Sequence, residues 1–209
     1  MRGFSTALLA SATLAVTLAL PAKAEPASLC ETVPKGVFDR DWLCDELAAV
    51  GEPDHLSRAG AAQSFRMLYS RSFHPAILIR INLVDDGSGS MIVKERAVHD
   101  TRVTVDSMVF ISAADTNDLR ATLSRDSFWT APVLYHVDFN FGPYPVNKPA
   151  EAVIMSDGAA WFIEGADPMH YRIMADDGGA FASPVQDIGM ALLTLAKKKV
   201  PSLDIEPIY

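Results

Sequence analysis

The chain has 209 residues, a formal charge of minus 8 and two cysteines, with its acidic side chains scattered rather than massed in a tail. A surface of that sign repels nucleic acid and anionic lipid, which argues against either as a partner. The length suits a single domain able to bury its own core.

The first element is an export signal: Arg2, then the apolar run ALLASATLAVTLAL, then the small-residue box Ala22-Lys23-Ala24. Cleavage after Ala24 would leave a mature chain from Glu25 with a charge of about minus 10. The apolar run is short for a spanning helix, and nothing later approaches the roughly 20 apolar residues a span needs. The expectation is therefore a periplasmic or secreted protein with no transmembrane segment once the signal is removed. A lipid anchor on Cys30 would want a small residue before it, and Leu29 is bulky. In an exported chain the even cysteine count favours a disulfide between Cys30 and Cys44, which would tie down an N-terminal helical arm over residues 25–62. The remainder, residues 63–209, is expected to form one α+β domain.

In chain order, DRDWLCDELAAV predicts a short helix, broken at Gly51 to Pro53. PAILIRINLV alternates, with Ile77, Ile79, Ile81 and Leu83 on one face and Arg80 and Asn82 on the other. DDGSGS supplies turn chemistry, and MIVKERAV and RVTVDSMVFI follow as antiparallel neighbours. Ser112 and Asp115 have the spacing of a capping box opening a helix through AADTNDLRATL. VLYHVDFNF predicts a strand, and GPYPVNKPAE after it a proline-rich loop. The last helix has Ser183 as cap, Pro184 at its first position and Gln186 three residues after the cap. Its apolar stripe is Ile188, Ala191, Leu192, Leu195 and Ala196, its basic end Lys197 to Lys199, and its stop Pro201. Hairpin-connected strands with a few helices describe an α+β fold: an antiparallel sheet carrying packed helices, the C-terminal one on the sheet.

The candidate chemistry centres on DGAAWFIEGADPMHYR. If AWFIE and MHYRIM pair with Glu164 opposite His170, then Trp161, Ile163, Tyr171 and Ile173 share an apolar face, while Glu164, His170, Phe162 and Arg172 share the other. An acid beside an imidazole can serve general acid and base chemistry, but an ordinary cross-strand charge group explains the same residues. No serine sits in a recognisable nucleophile elbow. His136 and Asp138 point the same way from one strand, and two ligands do not make a metal site. Arg66, Arg71 and Arg80 near His74 suit an anion pocket, against the commoner pairing with local acids. The aromatic segment with Tyr135, His136, Asp138, Phe141 and Tyr144, flanked by prolines, is the candidate contact region.

RSFHPAILIRI, FWTAP, DGAAWFIEG with HYRI, and SPVQDIGMALLTLA together resemble a family of small exported bacterial proteins with no established activity. The likeness runs over residues 64–196; it implies one α+β domain outside the cytoplasm and no substrate or catalytic residue. The segment from Val133 to Ala150 is longer here than in that pattern. The expected function is a binding or interaction module of the bacterial envelope, without cofactor or metal, whose partner is an envelope protein or a small ligand. The competing expectation is a hydrolase using Glu164 and His170, with metal assistance.

Overall fold

In a computed structural model, the structure describes residues 30, 40–54, 56, 61–71, 73–98, 100, 102–131, 134–135, 159–176 and 183–205. The elements are helix α1 (Arg40–Ala49), strands β1 (Gln63–Arg71), β2 (Ala76–Leu83), β3 (Gly89–Arg96) and β4 (Val103–Ile111), and helix α2 (Asn117–Arg125). Strands β5 (Leu134–Tyr135), β6 (Ala159–Ala166) and β7 (Tyr171–Asp176) follow, then helix α3 (Pro184–Lys199). The sheet order is β4-β3-β2-β1-β6-β7-β5; every pairing is antiparallel except that of the two-residue β5, which runs parallel to β7. This is the expected α+β architecture.

Alternation sorts the side chains as the β2 pattern requires. Ile77, Ile79, Ile81, Met67, Trp161 and Ile163 face one way, into the larger core beneath α2 and α3. Leu68, Leu78, Phe162 and Ala175 face the other way and meet Leu43, Leu47 and Val50 of α1.

The disulfide between Cys30 and Cys44 is present, with the two Cα atoms 6.0 Å apart. Cys44 lies inside α1, the helix expected over DRDWLCDELAAV, half-buried and next to the fully buried Leu43, so packing as well as the bond holds it. The physical reason is that Leu43, Leu47 and Val50 find an apolar sheet face to cover, so packing fixes the helix that carries Cys44. The bond then holds Cys30, before α1, to that helix.

One strand carries no periodic signal, and one helix starts later than expected. β1 is not marked by alternation: its side chains are buried from Ser64 to Tyr69 on both faces, so a central strand carries a run of apolar residues interrupted only by Arg66. The helix is α2. Thr116, not Ser112, is its N-cap, and the Thr116 hydroxyl turns away to donate to the carbonyls of Gly87 (2.8 Å) and Ala113 (3.0 Å).

Ser112 and Asp115 do bond reciprocally, one turn earlier. The Ser112 hydroxyl and amide donate to Asp115 Oδ2 (2.7 and 3.0 Å), and the Asp115 amide donates to Ser112 Oγ (3.3 Å). The same carboxylate receives Lys199 Nζ (2.6 Å) and Lys198 Nζ (3.1 Å) from the end of α3. Lys199 first, then Ser112 and Lys198, hold the Asp115 carboxyl far below its ordinary value of 3.8. A depressed folded pKa contributes stability that is complete above the unfolded value and is lost as pH falls toward the folded one. The stability gap between the wild type and Asp115→Asn is therefore expected to be full near about pH 6 and to shrink steadily toward about pH 2. Thermal denaturation across that range checks it; a gap that does not change with pH would show that the two lysines add no charge-dependent stability.

α3 is the element best described by its own residues. Ser183 Oγ accepts from the Gln186 amide (3.2 Å), Pro184 opens the helix, and Ile188, Leu192, Leu195 and Ala196 are buried. Ala191 is partly buried against the same core. Gly189 is buried too, because the helix crosses there directly over Trp161.

Candidate functional site

The site begins where α1 ends. Gly51 has φ +65, and the amides of Gly51 and Glu52 donate back to Ala48 O and Leu47 O (both 2.9 Å), so the helix closes in a Schellman-type turn. That turn lays Glu52 and Pro53 over the centre of the sheet, where Arg66 of β1 stands opposite Arg80 of β2 and Glu164 of β6. Glu52 receives three cations: Lys94 Nζ at 3.3 Å, Arg80 Nε at 3.4 Å and Arg66 Nη1 at 3.8 Å. Lys94 also donates to Val50 O (2.7 Å), one of the carbonyls left open at the helix end.

Arg66 and Glu164 lie at the bottom of this cluster, 1% and 0% exposed. Arg66 Nε donates to Glu164 Oε1 and its Nη1 to Pro53 O, and the Tyr171 hydroxyl donates to Glu164 Oε2 at 2.6 Å. Burial pushes the Glu164 carboxyl above the usual carboxylate range, against the pull of Arg66 and of the Tyr171 hydroxyl. Burial, reinforced by the neighbouring Glu164, likewise raises the Tyr171 phenol. Both oxygens of Glu164 are taken by neighbouring side chains. The cluster ties the loop after α1 to the middle strands, and the paired acids account for Arg66 and Arg80 better than an anion pocket does. Arg71 belongs elsewhere: it lies over the Tyr69 ring at 5.4 Å and donates to Asp204 O at 3.3 Å. The amide of His74 donates to the Arg71 carbonyl (3.3 Å). Cys44 stands on α1 with its sulfur bonded to that of Cys30, so neither is a free thiol.

The hairpin register differs from the expected one by three residues. Ala166 pairs with Tyr171, Gly165 with Arg172 and Glu164 with Ile173, so Glu164 does not face His170. An odd shift exchanges faces. Trp161 and Ile163 remain in the larger core, whereas Tyr171 and Ile173 join Glu164 and Phe162 on the α1 side. The cause lies in the turn. Asp167 accepts the amides of Met169 (2.7 Å) and His170 (2.6 Å), and its own amide donates to His170 O (2.9 Å), which places the loop at Asp167 to His170 and lets Gly165 and Ala166 continue the strand. Gly165 fits there because a side chain would meet Phe128 at 2.5 Å.

His170 therefore stands at the tip, its side chain 63% exposed, with Nδ1 3.1 Å from both Asp167 oxygens. Its ring lies against Trp129 at a tilt of 41° (centroids 5.8 Å), and Trp129 continues through Phe128 and Phe65 into the α2/α3 core. Glu164 points to the opposite face. The structure does not bring the acid and the imidazole together, and the histidine's carboxylate partner is Asp167, three residues away and missed by the strand pairing assumed from sequence. Of the aromatic segment, Tyr135 is placed in β5 by its backbone pairing with Asp176; His136, Asp138, Phe141 and Tyr144 lie outside the described residues. Among the described residues no three His, Cys, Asp or Glu side chains are grouped to hold a metal ion, and no helix is long and apolar enough to cross a membrane.

One surface the sequence did not single out is apolar and open. α1 covers the sheet over β1, β2, β6 and β7, and that face continues uncovered onto β4, where Met108 and Phe110 are 72% and 70% exposed. Met108 stands opposite the half-buried Ile92 of β3, and Val84, just past the end of β2, is exposed as well. Alternation in RVTVDSMVFI was the available signal, because both faces of that strand carry large apolar side chains. Comparison with protein-family models and with curated proteins finds no match.

Proposed function

We propose that the chain is an exported interaction module of a bacterial envelope, acting by binding rather than through the Glu164/His170 pair. The observation that supports this reading is the uncovered half of the α1 face. Two large apolar side chains held in water on a regular strand are a cost that an isolated chain with this charge need not carry, and contiguous exposed apolar groups mark contact surfaces. The export signal at residues 1–24 and the bond between Cys30 and Cys44 agree with a periplasmic or secreted location. The resemblance to small exported proteins points the same way.

The hydrolase reading loses its support in the geometry, because Glu164 is committed to Arg66 and Tyr171 and His170 to Asp167. The test is capture from envelope extract with the mature chain and with Met108→Lys/Phe110→Lys. The wild type is expected to recover protein that the variant loses by about tenfold, the effect of removing roughly 1.4 kcal/mol of contact. Equal recovery by both would end the proposal for this surface.

A further inference from the structure

We propose that the occupant of the β4 surface is a second copy of this chain, paired antiparallel along β4 so that two sheets become one. The inference rests on the binding reading above and names its partner. β4 is the outer strand of the sheet, nine residues long, and among the described residues no strand lies beyond it. Its outward backbone N–H and C=O groups form a template for another strand.

Native edges are normally blunted by lysine, proline, a bulge or short length. β4 has none of these along its run from Val105 to Ile111: VTVDSMVFI carries one charge, Asp106, and the register irregularity falls at Glu95/Arg96, opposite its first residues. β-Branched residues fill much of the rest, which suits pairing.

The strand is complementary to itself. A two-fold axis through Ser107 sets residue i of one copy opposite residue 214 minus i of the other, which follows from antiparallel pairing about residue 107. Val105 then meets Val109, Thr104 meets Phe110 and Asp106 meets Met108. The single charge stands diagonal to its twin and not directly opposite it. Met108 and Phe110 from both copies fall on the same face, where the two Met108 meet diagonally across the axis while Asp106 and Thr104 stand beside them. The rest of the acidic surface would repel a second copy, so the edge with one acid is where two such chains can approach. Joining a single strand pair is a small interface beside the standard of about 1,600 Å², so self-association in the micromolar range is expected.

The experiment is sedimentation velocity of the mature, disulfide-intact chain across the micromolar range, beside Met108→Lys/Phe110→Lys, with circular dichroism to show that the variant is folded. Both substituted side chains are exposed, so folding should survive. Single-cysteine variants add a geometric readout. Ser107→Cys lies on the axis and should cross-link to a covalent dimer on mild oxidation, while Thr104→Cys, set opposite Phe110, should not. Expected are a wild-type dimer, at least about tenfold weaker association for the lysine variant, and cross-linking by Ser107→Cys alone. A chain monomeric throughout with no Ser107→Cys dimer overturns the proposal, as does a dimer indifferent to the lysines or cross-linked equally at both positions. If the monomeric chain still captures an envelope protein that the lysine variant loses, the second-copy inference is wrong and the binding reading stands.

Discussion

Glu164→Ala is expected to lower the stability of the protein by about 3–5 kcal/mol, the usual cost of removing one partner from a buried charge pair. The carboxylate is fully buried and is the acceptor for Arg66 Nε and for the Tyr171 hydroxyl. Truncation leaves a guanidinium in a site almost closed to water, with Pro53 O and the more distant Glu52 as its remaining partners. It also leaves a phenol without its acceptor and a void between β1 and β7. Glu164→Gln should cost less, because it keeps an oxygen for Arg66. Replacing the pair together, Arg66→Met with Glu164→Leu, should recover most of the loss, since apolar side chains of similar size can fill a site that ions occupy only at a desolvation cost. Urea denaturation of the wild type, Glu164→Ala, Glu164→Gln and the double variant gives the four stabilities to compare. A Glu164→Ala loss below about 1 kcal/mol would mean that water reaches Arg66 and that the cluster is a surface network.

The second large effect is expected at the seam between α3 and the sheet. Trp161 is buried, stacks on Tyr69 with centroids 4.1 Å apart, and lies so close under Gly189 that an added Cβ would come within 2.4 Å of its ring. Trp161→Ala should cost about 3–5 kcal/mol from lost burial and the cavity left behind. Gly189→Val adds volume instead and should cost about 1–3 kcal/mol, because neither the helix backbone nor a stacked indole can move aside cheaply. The two changes are in contact, so the double variant should be more stable than the sum of the single losses predicts. Strict additivity in chemical denaturation would show that Gly189 tolerates a side chain without moving Trp161.

Both predictions concern residues that a sequence pattern treats unequally. Trp161 and Ile163 can be assigned to the core from alternation alone, and they are there. Glu164 sits between Ile163 and Gly165 and looks like an outward residue, yet the face it occupies is covered by α1 and by the loop that Gly51 turns back over the sheet. Alternation separates two faces; it does not state which of them meets water when helices pack on both. The same limit hid β1, where coverage from both sides removes the contrast between alternate residues. It also explains Cys44: its pairing with Cys30 could be read from the cysteine count, but the packing of its helix on the sheet could not. Register escaped for a different reason: the position of the Asp167 turn is decided by which backbone amides its carboxylate captures, and a change of one loop choice reassigns every residue of β7.

The features legible in the chain were local and periodic: the α+β class, the β2, β3 and β4 meander, and α3 with its serine cap, proline start and buried stripe. Those features depend on backbone propensity and near neighbours, which adjacent residues specify. The tertiary structure alone decided that Arg66, Glu164 and Glu52 form one buried cluster, that His170 belongs with Asp167 and Trp129, and that Met108 and Phe110 remain open to solvent. Each of these follows from a choice of packing partner between segments far apart in the chain, and the free energy of that choice is shared among surfaces that no short stretch contains.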